Sequence, residues 1–241
     1  MTLRPLKRIY KDVTTGSVDG LPTVLLDGRP LLTPAKCTVV LPNQAMACAI
    51  ADEWREQGDE VQPQDMPITR LAVSAIDRVS PARDDVVAQI AGFGETDLLC
   101  YRSEQADLAD RQAELWQPML DWASDALKAP LLTVSGIMPA QQREDSVVAL
   151  RSAVDGHNDM ELAALHSITT ATGSLILALA VSAGKIDAES AWELSQLDET
   201  WQAERWGVDI EATERAGHLR QELIAATRFL NLCRETSVAG N

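Results

Sequence analysis

The chain has 241 residues, of which 46% are hydrophobic and 24% are charged, so it can bury a substantial core and lacks the composition of a disordered protein. Its formal net charge of -15 gives a surface that repels phosphate backbones and anionic lipids, which argues against nucleic acids and membranes as partners. Residues 1–42 run against this trend with six basic and three acidic residues, which predicts two regions of different character.

The segment from Met1 to Lys11 is basic but has no apolar stretch of the kind that a secretory signal needs, and it is short for an organellar transit peptide. A reducing, cytoplasmic location is therefore expected. The cysteines stand far apart and no histidines cluster near them, which predicts free thiols and neither a metal site nor a cofactor. The cysteines are Cys37, Cys48, Cys100 and Cys233.

Residues 9–41 are rich in turn-forming and β-branched residues, which predicts a small antiparallel sheet. Asp27 and Gly28 lie between two short apolar runs, Thr23 to Leu26 and Pro30 to Thr33, and this pattern is typical of a β-hairpin with a tight turn. Because so small a sheet buries little apolar surface, we expect it to pack on elements later in the chain.

After Pro42 the apolar residues recur at helical spacing. Asn43 is the predicted N-cap of a helix that ends at Gly58, and further helices are predicted over 67–76 and 81–93. The apolar segment 97–101 fits either a buried strand or a linker.

Residues 104–127 predict a long amphipathic helix that is bent or restarted near Pro118. A strand and a turn are predicted over 131–139, and another helix over 141–154. The side chains expected to face inward on the long helix are those of Leu108, Leu115, Trp116, Met119 and Trp122.

Residues 162–183 contain no Asp, Glu, Lys or Arg, and a run of 22 such residues could nominally span a bilayer. Its first half is rich in His, Ser and Thr, and no basic cluster flanks it, which favours one central helix buried in a globular protein. Two last helices are predicted, from Asp187 to about Trp206 and from Asp209 to about Leu232.

The helix predicted from Asp187 carries large apolar side chains on two different faces, and both faces are therefore expected to be buried. Trp192, Glu199 and Trp206 follow one another at intervals of seven on one of them. Since one stripe is enough to dock a helix, this face predicts either a partner surface, for which tryptophan is favoured, or a helix covered on both sides. The other stripe consists of Ser190, Ala191, Leu194, Leu197 and Trp201.

These elements predict an α+β fold in which a small N-terminal antiparallel β part packs on a larger multi-helical C-terminal part. The predicted β-rich domain covers residues 1–42 and the mainly helical domain covers residues 43–241. Segments 97–101 and 131–135 are candidates to complete the sheet of the first domain.

Catalytic motifs are scarce: the sequence has neither a G-x-S-x-G nucleophile turn nor a phosphate-binding loop, and it contains only His157, His166 and His218. Neighbouring acids leave an alternative function open, a small-molecule or metal-dependent hydrolase with an acidic site. These acids are the pairs Asp52 with Glu53, Asp84 with Asp85, and Asp198 with Glu199.

Five motifs, in one order along the chain, resemble the family of chaperones that assemble the F-one sector of ATP synthase, and together they cover most of the chain from Gly28 to Glu211. The motifs are GRPLLTPAK (28–36), ADEWREQGDEVQPQDMPITRLAVSAID (51–77), DLLCYR with RQAELWQPMLDW (97–102 and 111–122), HSITTATGSLILALAV (166–181) and LDETWQAERWG (197–207).

The resemblance implies a β-rich N-terminal part, a larger helical part, no enzymatic turnover and transient binding of the unassembled ATP synthase alpha subunit. It also implies a bacterial member that works in the cytoplasm, and a monomer is expected. The acidic, tryptophan-containing stretch is the expected partner-binding surface, although the same residues could hold the last two helices together. The expected contact residues are Trp192, Glu199, Glu204, Trp206 and Asp209.

Overall fold

The computed structural model describes residues 6–136, 141–207 and 209–235. Contacts divide the described residues into two compact units. The first unit contains the residues up to Arg83, residues 159–164 and the residues from Arg228 onward. The second unit contains residues 84–158 and 165–227.

The strands are short and lie mostly in the first unit. They are β1 (Leu6–Lys7), β2 (Val13–Val18), β3 (Leu21–Leu26), β4 (Arg29–Pro30), β5 (Glu60–Val61), β6 (Tyr101–Arg102) and β7 (Val134–Ser135).

Helices make up most of the remaining described residues. They are α1 (Gln44–Arg55), α2 (Pro67–Ser74), α3 (Arg83–Gly92), α4 (Ala106–Leu127), α5 (Glu144–Asp155), α6 (Asp159–Thr172), α7 (Leu175–Ser182), α8 (Ala188–Ser195), α9 (Leu197–Trp206) and α10 (Ile210–Arg234). With the three-stranded sheet below, they confirm the predicted α+β class.

The predicted hairpin is confirmed. Strands β2, β3 and β4 form an antiparallel sheet in that order, and Leu26 pairs with Arg29 across the turn. Asp27 and Gly28 have φ of 48° and 75°, the conformation that a two-residue hairpin turn needs in order to match the twist of its strands. The sheet buries Val24 against α1, which packs on β2 and β3.

Helix α1 begins where the sequence predicts. The Asn43 side chain accepts a hydrogen bond of 2.9 Å from the Met46 backbone N–H and thereby satisfies one of the free donors at the helix start. The helix ends at Arg55, three residues before the predicted stop at Gly58. Helix α2 also starts as predicted, with Pro67 in its first turn, and it continues into a π-helical turn over Ala75–Val79.

Strands β6 and β7 pair with each other in parallel, with Tyr101 opposite Val134. The expected completion of the N-terminal sheet by 97–101 and 131–135 is therefore wrong, because these segments make their own two-stranded pair within the second unit. The rest of 97–101 forms a 3-10 turn over Leu98–Cys100. Residues 137–139 of the predicted turn lie outside the described residues.

Helices α1 and α2 belong to the same compact unit as the N-terminal strands, whereas the sequence predicted a domain boundary after residue 42. That boundary stays a prediction.

Helix α4 runs through Pro118 without ending, so the predicted restart does not occur. Trp116 and Met119 are buried as expected, but Leu115 is 40% exposed. At about 100° per residue, Leu115 lies at the margin of the buried face, whose centre falls between Trp116 and Met119. Its predicted inward position is wrong for that reason.

The single helix predicted over 162–183 is two helices, α6 and α7. Gly173 lies between them with a φ of 68°. This left-handed conformation ends α6, and glycine adopts it at little steric cost because it has no Cβ. The Ser174 hydroxyl then accepts a hydrogen bond of 3.1 Å from the Leu177 N–H and starts α7. No helix in the described ranges is long and apolar enough to cross a bilayer.

The helix predicted over 187–206 is also interrupted. Gln196, with φ of -100° and ψ of 15°, departs from helical dihedral angles and separates α8 from α9.

Replacing Gly173 by alanine is expected to lower the free energy of unfolding by about 1 kcal/mol, because alanine is strained at positive φ. A Cβ at this position meets no atom within 4 Å, so the effect isolates backbone strain. The matched control is Gly92→Ala, where φ is -58° and a Cβ is likewise uncontacted; it should be neutral or slightly stabilising. Urea unfolding followed by circular dichroism measures both, and equal effects would contradict the strain argument.

Candidate partner-binding site

Helix α9 lies against α4 through one buried face. Leu197 and Trp201 on that face are 4% and 3% exposed. Near the start of α9, the Gln112 side chain of α4 donates a hydrogen bond of 2.7 Å to the Asp198 carboxylate. Just before α9, the indole N–H of buried Trp116 donates to the Leu194 carbonyl at 2.9 Å. The helix pair is therefore fixed by apolar burial and by hydrogen bonds from α4.

Two ion pairs join the other end of α9 to α4. Arg111 donates two hydrogen bonds to Glu204, of 2.9 and 3.1 Å, in the bidentate geometry that suits a guanidinium and a carboxylate. Arg205 pairs with Asp107. The hydrogen bond from Arg111 lowers the pKa of Glu204, so that carboxylate stays ionised and engaged within the protein.

Aromatic contacts shape the end of α9. The Arg205 guanidinium lies 3.8 Å from the centroid of the Trp201 ring, a cation–π arrangement that covers the buried indole. The Trp206 ring meets Trp201 edge to face at a centroid distance of 5.5 Å. Trp206 nevertheless remains 69% exposed, which is unusual for so large an apolar side chain.

The outer face of α9 carries Glu199, Gln202 and Trp206, all exposed. These residues share one side of the helix because they follow at intervals of three and four. Glu199 makes no ion pair with any residue in the described part of the chain. The outer face of α9 thus presents a free carboxylate and an indole.

Trp192 does not belong to that face. It lies on α8 and is half-buried, and the interruption at Gln196 breaks the helical spacing that related it to Glu199. Within the described ranges, no hydrogen bond or ring contact joins Trp192 to Glu199 or Trp206. The structure therefore brings together two of the three residues that the spacing of seven selected.

Asp209 lies at the start of α10. Its carboxylate accepts hydrogen bonds from the backbone N–H groups of Glu211, at 2.9 Å, and Ala212, at 3.3 Å. This is the N-cap role for which aspartate is strongly preferred. Asp209 and Glu204 therefore both have partners inside the protein, and both remain exposed.

Two of the acids that left a hydrolase open make structural contacts. Asp52 pairs with Arg55, and Asp198 accepts from Gln112. Among the residues that the structure describes, no group of three His, Cys, Asp or Glu side chains is arranged to hold a metal ion. His166 has a pKa lowered by burial, which is the behaviour of a core histidine.

Sequence reasoning missed a buried carboxylate in the second unit, Asp97. It is 0% exposed and accepts hydrogen bonds from the Leu99 N–H (3.0 Å), the Ser174 hydroxyl (2.8 Å) and the Ile176 N–H (3.0 Å). It therefore caps the start of α7 from a distant segment. Burial raises its pKa to about 6 despite these donors, which favour the ionised form.

Glu53 plays the same part in the first unit. From α1 its carboxylate accepts hydrogen bonds from the backbone N–H groups of Ile68 and Thr69, both at 2.7 Å, and from the Thr69 hydroxyl at 2.6 Å. It thereby caps the start of α2. The signal that could have found both carboxylates is that each lies inside one of the motifs quoted above, next to apolar residues.

Several known proteins are similar to this chain in sequence and in fold. A family model described as ATP12 chaperone protein matches residues 7–124. The structure of Atp12 from Paracoccus denitrificans is 43% identical, covers 95% of this chain and 99% of its own, and superposes with a TM-score of 0.91. An aspartate-to-lysine variant of that bacterial protein is 42% identical, covers 95% and 98%, and gives the same TM-score.

A more distant relative is the Schizosaccharomyces pombe protein named Protein atp12, mitochondrial. It is 27% identical over 95% of this chain and 83% of its own length.

Burial of Asp97 has a measurable pH signature. Its pKa rises from 3.8 to about 6 on folding, so the folded state holds the proton more tightly, and the contribution of this group to stability is complete below pH 4 and lost as the pH rises to about 6. The loss corresponds to about 3 kcal/mol.

Carboxyl 13C NMR titration should find a midpoint near 6 for Asp97. The matched control is Asp187, an exposed helix cap whose pKa is lowered by its hydrogen bond from the Ser190 N–H. A midpoint for Asp97 below 4 would contradict this account.

Proposed function

The chain belongs to the ATP12 chaperone family, and from this membership we propose that it serves ATP synthase assembly by binding the unassembled alpha subunit of the F-one sector. The observation that carries the proposal is the 43% identity to the Paracoccus protein over 95% of the chain, together with a TM-score of 0.91.

Such a task suits a binder without chemistry of its own. A lone subunit of a ring exposes apolar surface meant for its neighbours, and exposed surface of that kind promotes aggregation. A chaperone that covers this surface must later release it, so we expect an interface of moderate size with a polar rim. The net charge of -15 suits a client surface that is basic around its apolar centre.

We assign client binding to the outer face of α9 and its surroundings. Glu199 supplies a free carboxylate for a basic group of the client, and Trp206 supplies exposed apolar area. Glu204 and Asp209 act mainly through their partners inside the protein, by holding α9 on α4 and by capping α10. Trp192 is half-buried on α8, outside this face, and we include its exposed part among the client contacts.

We further propose that the protein works as a monomer in the cytoplasm of a bacterial cell, where newly made alpha subunits are present. The identity of 43% to the bacterial relative, against 27% to the yeast relative, supports the bacterial setting. The hydrolase alternative has no specific observation in its favour, since the relatives are described as chaperones.

Client choice can be tested with isolated recombinant subunits. The purified chain should capture the alpha subunit and keep it in solution, and it should leave the beta subunit uncaptured. Binding is measured by pull-down and by light scattering of the client after dilution from denaturant. Capture of beta alone would redirect the proposal to the other subunit, and capture of neither would refute it.

The role of Glu199 can be tested by reversing its charge. Glu199→Lys should weaken binding of the alpha subunit at least about tenfold, because a lysine repels the basic group that the carboxylate attracts. The fold should be unaffected, since surface substitutions of this kind change stability by about 0.5 kcal/mol or less.

The matched control is Glu114→Lys, an exposed glutamate on α4 that undergoes the same change of charge. Calorimetry measures the affinity and circular dichroism the melting temperature. Equal affinities for the two variants would remove Glu199 from the site, and a large loss of helicity in Glu199→Lys would assign it a structural role.

A further inference from the structure

The exposed indole of Trp206, at the end of α9, packs against side chains that are held in place by other contacts. Trp206 is 69% exposed, yet its ring contacts buried Trp201 in an edge-to-face arrangement. Arg205 covers the Trp201 ring and is held in turn by Asp107 of α4. The exposed ring therefore stands on a surface whose parts are fixed by their own partners, instead of extending freely into water.

We propose that Asp107 and Arg205 are positioning residues that hold Trp206 as a rigid anchor for an apolar pocket with a basic rim on the client. This inference rests on the proposed function and adds the residues that set the affinity. A side chain that is ordered before binding loses less conformational entropy when it enters a pocket, so its contact contributes more to affinity. Tryptophans in such positions are typical binding hot spots.

The surroundings of Trp206 define the pocket's chemistry. Ile210, four residues further along the chain at the start of α10, is 77% exposed and is a second large apolar side chain that this stretch presents. The same stretch of chain carries exposed carboxylates, Glu199 on the outer face of α9 and Asp209 and Glu211 at the start of α10. An apolar centre with an acidic border matches a client surface with a hydrophobic pocket bordered by lysine or arginine.

Stability alone does not account for the pair of Asp107 and Arg205. Their side chains are 54% and 40% exposed, and ion pairs that open to solvent contribute little to the free energy of unfolding. Trp201 is already buried by its packing on the protein side. The pair is therefore suited to holding Arg205 against the Trp201 ring, which Trp206 also contacts.

The test compares Asp107→Asn with Asp110→Asn. Both variants remove one negative charge from α4, and Asp110 is an exposed residue with no ion pair in the described part of the chain. Asp107→Asn should weaken binding of the isolated alpha subunit about three- to tenfold, whereas Asp110→Asn should leave it unchanged. Asp107→Glu should restore most of the affinity, and Trp206→Ala should cost about thirtyfold or more.

Order of the Trp206 ring is measured separately, by 15N relaxation of its indole N–H in the chain without client. The order parameter should fall in Asp107→Asn and stay at the wild-type value in Asp110→Asn. A wild-type chain that does not bind the alpha subunit refutes the proposed function, and the relaxation result then still decides the positioning role. Equal affinity and equal order in the two variants would overturn the inference.

Discussion

A carboxylate that has no access to water must be surrounded by fixed donors, and the position of Asp97 imposes this constraint on the second unit. Its donors come from the turn over 98–100 and from the start of α7, so these two segments must meet. The backbone contact from the Leu98 N–H to the Gly173 carbonyl, at 3.3 Å, joins them a second time. Burial of the charge costs free energy that only this arrangement offsets. The break between α6 and α7 is thus part of the site that holds Asp97.

In the first unit, the Glu53 carboxylate likewise accepts hydrogen bonds from the backbone at the start of a helix, α2. Both carboxylates lie in motifs that carry the family resemblance, and so does Ser174, which donates to Asp97. These motifs therefore describe in large part how the fold is held together. The free carboxylate of Glu199 and the exposed Trp206 are different, because neither is needed to satisfy a buried partner in the described residues.

Local signals explain which elements could be predicted. The turn at Asp27 and Gly28 and the cap at Asn43 depend on neighbours in sequence, so they were predictable. The break between α6 and α7 was not, because Ser174, which starts α7, donates to the Asp97 carboxylate 77 residues away. In the candidate partner-binding site, too, local features were predictable and long-range contacts were not. Glu199 and Trp206 share a face within one helix, whereas the pairing of Glu204 with Arg111 spans 93 residues.

The two ion pairs between α4 and α9 have opposite polarity: α4 supplies the base in one pair and the acid in the other. On α4 an acid, Asp107, precedes a base, Arg111, by one turn, and on α9 the acid Glu204 immediately precedes the base Arg205. Exchanging the partners would set arginine against arginine and carboxylate against carboxylate. Repulsion between like charges therefore opposes sliding of one helix along the other. The charges select the alignment of α9 on α4, even though they add little to the free energy of unfolding.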